Sequence, residues 1–181
     1  MDVSYPSLSG LVVIKPAVFR DSRGYFLEAF NQKAYKEIGI QCAFVQDNLS
    51  YSTYGVLRGL HFQAPPYGQA KLVSVLQGKV LDVAVDIRKN SPTYGKYFSI
   101  FLDASEPTYF FIPEGFAHGF VVLSPTCLFH YKCSNYYHKP SEGGLLWNDP
   151  DLAIDWPITE PILSEKDQLY PSFKSFVSPF D

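Results

Sequence analysis

Residues 71–88 read KLVSVLQGKVLDVAVDIR, two runs of period-two alternation separated by Gln77-Gly78. Alternation of this length predicts strands, and a two-residue glycine turn between two such runs predicts a hairpin with Leu76 opposite Lys79 and Val73 opposite Asp82. In that register Lys71 has Asp82 and Asp86 as diagonal neighbours on one face, among Val73, Val75 and Val80. The other face carries Leu72, Leu76, Leu81, Val83, Val85 and Ile87. A hairpin apolar on both sides must be covered on both, by a barrel interior on one and a second sheet or a partner subunit on the other. An ion in such an interior costs several kcal/mol unless it is paired. Lys71 is therefore either half of a structural ion pair or a cation held for a ligand.

The remainder of the chain agrees with an all-β reading. Aromatic residues (17%) nearly match charged ones (18%), and 14 Pro and 12 Gly are spread as punctuation between short alternating runs, which describes a strand-rich domain. Without a repeat or linker, residues 1–181 read as one domain. Residues 31–39 are the best helix, with Asn31 as its N-cap and Gly39 as its stop; it is short and peripheral. Residues 42–45 read as strand, followed by the polar cluster Gln46-Asp47-Asn48 before a turn-rich stretch, so the cluster is either turn chemistry or the mouth of a pocket. A net charge of -3 argues against nucleic-acid binding. Three cysteines with no C-x-x-C pair suggest neither a disulfide framework nor a zinc site, and they fit a reducing cytoplasm. No leader pattern and no spanning apolar run is present, so no membrane association is expected.

The segment GVLRGLHFQ places an imidazole, His61, among Leu57, Leu60 and Phe62 on a strand. Such a histidine is either a satisfied core residue or a working group. Strict alternation puts Arg58 on the other face, and a β-bulge at Gly59 would bring both to one site. Glu28 shares a strand face with Phe26 and Phe30 near Arg23 in a turn, reading either as an edge glutamate or as a polar anchor in an aromatic slot. Tyr131 falls on one face with Cys127, Phe129, Cys133 and Tyr137, as packing or as chemistry. Asp167 closes Ser164-x-x-Asp167, which also fits a helix capping box.

Two spacings bear on the fold. Gly55, His61, Gln63 and Gly78 in the first half, and Pro113-x-Gly115-x-x-His118 in the second, resemble the two motifs of cupins, jelly-roll barrels also called double-stranded β-helices. Metal-binding cupins carry further ligands where this chain has Gln63 and Gln69. His61 and His118 alone are too few for a catalytic metal, so none is expected.

The segments FRDSRGYFLEAF, FVQDNLS, GVLRGLHFQ, QAKLV, GKVLDVAVDIR, IPEGFAHGFVVLS, SEGGLLWNDP and LSEKD, in this order, resemble the dTDP-4-dehydrorhamnose 3,5-epimerase family over residues 19–167. The resemblance implies a cupin barrel with a few short peripheral helices and a cofactor-independent enzyme acting on dTDP-4-keto-6-deoxy-D-glucose. It implies His61 as base with Asp167 as its partner, Tyr131 as acid on the other face of the sugar, and Lys71 on the ketone oxygen. Arg23, Glu28, Gln46, Asp47, Asn48, Arg58, His118, Glu142 and Lys166 match substrate-binding positions, and Tyr137 matches the ring that stacks on thymine. It further implies a homodimer with exchanged N-terminal strands, in which Arg23 and Glu28 serve the neighbouring subunit. Inversion at one carbon only, C3 or C5, is the alternative activity, and a non-catalytic nucleotide-sugar-binding cupin is the alternative from another class.

Overall fold

The computed structural model describes all 181 residues. Its strands are β1 (Asp2–Ser4), β2 (Val12–Lys15), β3 (Val18–Asp21) and β4 (Gly24–Leu27), then after helix α1 (Gln32–Glu37) β5 (Gln46–Thr53), β6 (Leu57–Gln63), β7 (Lys71–Gln77) and β8 (Lys79–Asp86). They continue as β9 (Tyr97–Asp103), β10 (Tyr109–Ile112), β11 (Phe116–Val122), β12 (Thr126–Cys133) and β13 (Glu142–Gly144). Two antiparallel sheets, ordered β1-β2-β10-β7-β12-β5 and β13-β6-β11-β8-β9, face each other, and β3–β4 stands apart as a hairpin. Neighbours far apart in sequence and a core between two sheets make a jelly roll of the cupin kind, with helix confined to α1 and three single 3-10 turns.

Local chemistry accounts for several boundaries. The Asn31 side chain accepts from the N–H groups of Lys33 and Ala34, and Gly39, at φ +94°, follows the helix. In β6 the bulge is present: His61 pairs with His118 but Arg58 pairs with Phe120, so three residues on β6 span two on β11. Gly59 sits in that step at φ +138°, packed so tightly on Gly119 that a side chain would strike its backbone.

The hairpin expected at Gln77-Gly78 is not formed. β7 lies between β10 and β12 in one sheet, whereas β8 lies between β11 and β9 in the other. A glycine at positive φ, +86° for Gly78, turns a corner between sheets as readily as it closes a hairpin. Both faces of both strands are largely covered, Leu76 at the end of β7 being exposed, for different reasons than a hairpin would require. Val73, Val75, Val80 and Ala84 meet inside the barrel. Leu72 packs with Ile14, Tyr35 and Ile40, and Leu81, Val83 and Val85 lie under the chain's own Leu145, Leu152 and Trp156. The outer face of β8 therefore needs no partner subunit.

Three smaller expectations also change. Residues 42–45 are not a strand, and the polar cluster at 46–48 is not a turn but the start of β5, which pairs with β12 over its full length. β5 is an edge strand, where polar side chains are tolerated on both faces. β12 ends at Cys133, leaving Tyr137 in the following loop.

Candidate active site

A cavity of about 610 Å³ opens into the barrel, lined among others by Arg58, His61, Lys71, His118, Tyr131 and Asp167. Phe120 and Phe129, stacked with centroids 4.0 Å apart at 13°, form part of its apolar wall. A smaller adjoining cavity of about 240 Å³ shares His61, Lys71, Tyr131 and Glu142 and adds Gln46, Asn48 and Tyr137.

His61 is not a core histidine satisfied by backbone. Its Nε2 meets Asp167 Oδ1 at 2.6 Å, and the carboxylate is buried. Asp167 lies in the 3-10 turn Lys166–Gln168, where its own N–H donates to Ser164 Oγ at 3.2 Å. Ser164 thus caps the turn, and the Asp167 carboxylate goes to the imidazole. Burial pushes the Asp167 carboxyl up, but the hydrogen bond and charge of His61 outweigh it and hold it below the ordinary carboxylate range. An ionised carboxylate on Nε2 fixes the tautomer with hydrogen on Nε2 and leaves Nδ1 with the lone pair.

Lys71 makes no ion pair. The carboxylates expected beside it are engaged elsewhere: Asp82 accepts from His118 Nε2 at 2.9 and 3.0 Å, and Asp86 pairs with Arg88 at 2.8 Å. Burial pulls the Lys71 ammonium below the ordinary lysine value, partly offset by Cys133, Asp82 and Glu142. A buried lysine without a bonded anion is not half of a structural ion pair. Tyr131 projects from β12 on the face of Phe129 and Cys133, and its hydroxyl has no hydrogen bond within the protein. Burial raises its phenol pKa, so the group stays protonated and able to donate.

The remaining positions fall into three groups. Around the mouth, Glu142 accepts from Lys166 Nζ at 2.6 Å and from the Tyr137 hydroxyl at 3.1 Å. Gln46 donates to Asn48 at 3.1 Å and accepts the Tyr137 N–H at 3.0 Å. Arg58, exposed at the cavity wall, donates from Nε to Ser52 Oγ at 3.1 Å, and deeper in, burial keeps His118 neutral against the pull of Asp82. Outside the cavity, Asp47 points to the other face of β5 and takes Lys132 Nζ at 2.8 Å. Arg23 and Glu28 are exposed near the β3–β4 hairpin, with Arg23 bonded to Asp21 at 2.6 Å. One chain alone does not bring these last three to the site.

Sequence reasoning named Asp82 as a neighbour of Lys71 and Ser164 as the start of a cap, but missed that Asp82 accepts from His118. Alternation had put Asp82 on the inner face, yet nothing in it separates a partner for Lys71 from one for His118. Gln63 and Gln69, which stand at cupin ligand positions, instead fasten the loop that carries Tyr137: Gln63 pairs with the backbone of His138 and Gln69 donates to Asn135 O at 2.7 Å.

A jelly-roll barrel whose cavity gathers an imidazole–carboxylate pair, a protonated phenol and an unpaired ammonium defines an acid–base enzyme suited to moving protons on carbon next to a carbonyl. The family model described as dTDP-4-dehydrorhamnose 3,5-epimerase matches residues 6–175, and the chain belongs to that family. It is similar to the dTDP-4-dehydrorhamnose 3,5-epimerase of Elizabethkingia anophelis, with 54% identity, 96% of this chain and 97% of that one covered, and a TM-score of 0.92. It is also similar to the Legionella pneumophila epimerase solved in complex with dTDP-4-keto-L-rhamnose, with 47% identity, coverage of 97% and 94%, and a TM-score of 0.94. The Shigella flexneri dTDP-4-dehydrorhamnose 3,5-epimerase is 51% identical over 168 residues, 92% of this chain and 93% of that protein.

Proposed function

We infer that this member of the family inverts C3 and C5 of dTDP-4-keto-6-deoxy-D-glucose through enolates, giving dTDP-4-keto-L-rhamnose. A C–H next to the C4 ketone is acidic because its electron pair can pass to the ketone oxygen. His61 Nδ1 takes that proton, and Asp167 stabilises the imidazolium that results. Lys71 donates to O4 as it becomes an enolate oxygen, a kind of preorganised contact worth about 3–4 kcal/mol. The enolate carbon then takes a proton from the Tyr131 hydroxyl on the other side of the ring, which inverts the centre. Both carbons flank one ketone, so the same groups serve each in turn after the sugar shifts, once His61 has lost its proton to solvent and the Tyr131 phenolate has taken one back from solvent. The electron pair returns to carbon at each step, so the chemistry calls for no oxidant or reductant.

The observation that carries this reading is the unpaired Lys71 ammonium sharing a cavity with His61 and Tyr131. Gln46, Asn48, Arg58, His118, Tyr137, Glu142 and Lys166 would hold the nucleotide-sugar. Phe19, Tyr25 and Phe26 on the β3–β4 hairpin are 64%, 58% and 70% exposed, which supports a homodimer in which this hairpin brings Arg23 and Glu28 to the partner's cavity. Three free cysteines suit a cytoplasmic enzyme, and no helix is long and apolar enough to cross a membrane. Incubation with the dTDP-keto-sugar in heavy water, read by NMR, should place deuterium at C3 and C5. Deuterium at one carbon would assign a single-centre epimerase, and none at either would refute the reading.

A further inference from the structure

His61 has a different neighbour on each side of its strand. Toward β11 it pairs with His118, and toward β13 its partner is Gly144, which has no side chain to set against it. The ring of Tyr170 fills that space: a Cβ on Gly144 would lie 2.5 Å from Tyr170 Cε2 and 2.6 Å from its Cζ. The same ring meets the imidazole with centroids 5.7 Å apart and planes at 65°, an edge-to-face contact. Asp167 and Tyr170 are three residues apart, so one short segment supplies both the carboxylate on Nε2 and the ring beside the imidazole.

A hydrogen bond to Nε2 fixes one atom of the imidazole and leaves the ring free to rock about that bond. A second contact is needed to fix the plane. The Tyr170 hydroxyl is buried and makes no well-formed hydrogen bond; Lys166, which acts on it electrostatically, is bonded to Glu142 at 2.6 Å instead. The part of Tyr170 that meets His61 is the ring.

We propose that Tyr170 is a positioning residue: its ring stands in for the side chain that Gly144 lacks and, together with Asp167, holds the His61 imidazole in the one plane that aims Nδ1 at the substrate carbon. This rests on His61 being the base. Misplacement of a reacting group by about 1 Å can cost on the order of 10²-fold. Tyr170→Ala should therefore lower kcat about 10- to 100-fold, with dTDP affinity unchanged, while Tyr170→Phe retains wild-type kcat.

The test is deuterium exchange by each variant, expressed per dTDP-binding site so that only folded enzyme is counted; Tyr170→Leu replaces the alanine variant if that one does not fold. Slow exchange in Tyr170→Ala or Tyr170→Leu with rescue by Tyr170→Phe is the expected result. Wild-type kcat in the ring-deleted variant, or a phenylalanine variant as slow as it, would overturn the proposal. Wild-type enzyme in the same experiment separates the two levels: if it exchanges neither carbon, the epimerase reading itself fails.

Discussion

Asp167 and His61 are 106 residues apart in sequence and 2.6 Å apart in space, and the carboxylate is the only side chain bonded to the imidazole. Replacing Asp167 by Asn leaves the shape but removes the charge and permits the wrong tautomer. Exchange at the substrate carbons should fall about 10²- to 10⁴-fold while dTDP affinity, measured by calorimetry, stays near wild type.

Lys71 sets the alkaline behaviour. Burial lowers its pKa from the ordinary 10.5, and the proposed mechanism uses the charged form. As pH rises through that lowered value the ammonium is lost, so kcat/KM should decline at a pH below 10.5. Burial shifts the Tyr131 phenol the other way, up from its ordinary value. In Lys71→Arg the residual activity should lose the alkaline decline, because guanidinium stays charged. Lys71→Met should cost about 10²- to 10³-fold.

Tyr131→Phe removes the proposed proton donor and leaves the proposed base, His61, in place. Turnover to inverted product should fall far more than the affinity for dTDP, and abstraction by His61 should persist as deuterium washed in without inversion. Unchanged turnover would make Tyr131 a packing residue.

Much of this site follows from period-two alternation. It placed Tyr131 with Phe129 and Cys133, put Asp82 and Lys71 on inward faces, and with Gly59 between them brought Arg58 and His61 to one cavity. The Asn31 cap was likewise readable from local chemistry. What alternation cannot carry is partnership across the barrel. β7 and β8 look like a hairpin because a positive-φ glycine serves a hairpin turn and a corner between sheets equally, and only competition among all strands decides which neighbours each takes. The Ser164-x-x-Asp167 pattern reads as a cap, and Ser164 does cap, yet the Asp167 carboxylate serves a strand 106 residues away. Asp47 illustrates the reverse: a residue in a family-like motif that, within one chain, faces Lys132 rather than the cavity.

Asp86 governs acid stability away from the chemistry. Burial raises its pKa, but hydrogen bonds from Arg88, Ser91 and Thr93 outweigh that and hold it at about 2 against 3.8 for a free carboxylate. A depressed folded-state pKa means its contribution is fully present above 3.8 and lost as pH falls through about 2. That difference is on the order of 2 kcal/mol. Urea unfolding from pH 6 downward should show a smaller acid loss in Asp86→Asn than in wild type, after starting from lower stability at neutral pH.

The proposed mechanism requires one imidazole, His61, to serve both carbons. The direct measurement is NMR of the dTDP-keto-sugar incubated in heavy water with His61→Ala that still binds dTDP. Loss of deuterium incorporation at C3 and C5 together is the predicted result; incorporation continuing at either carbon at the wild-type rate would contradict it.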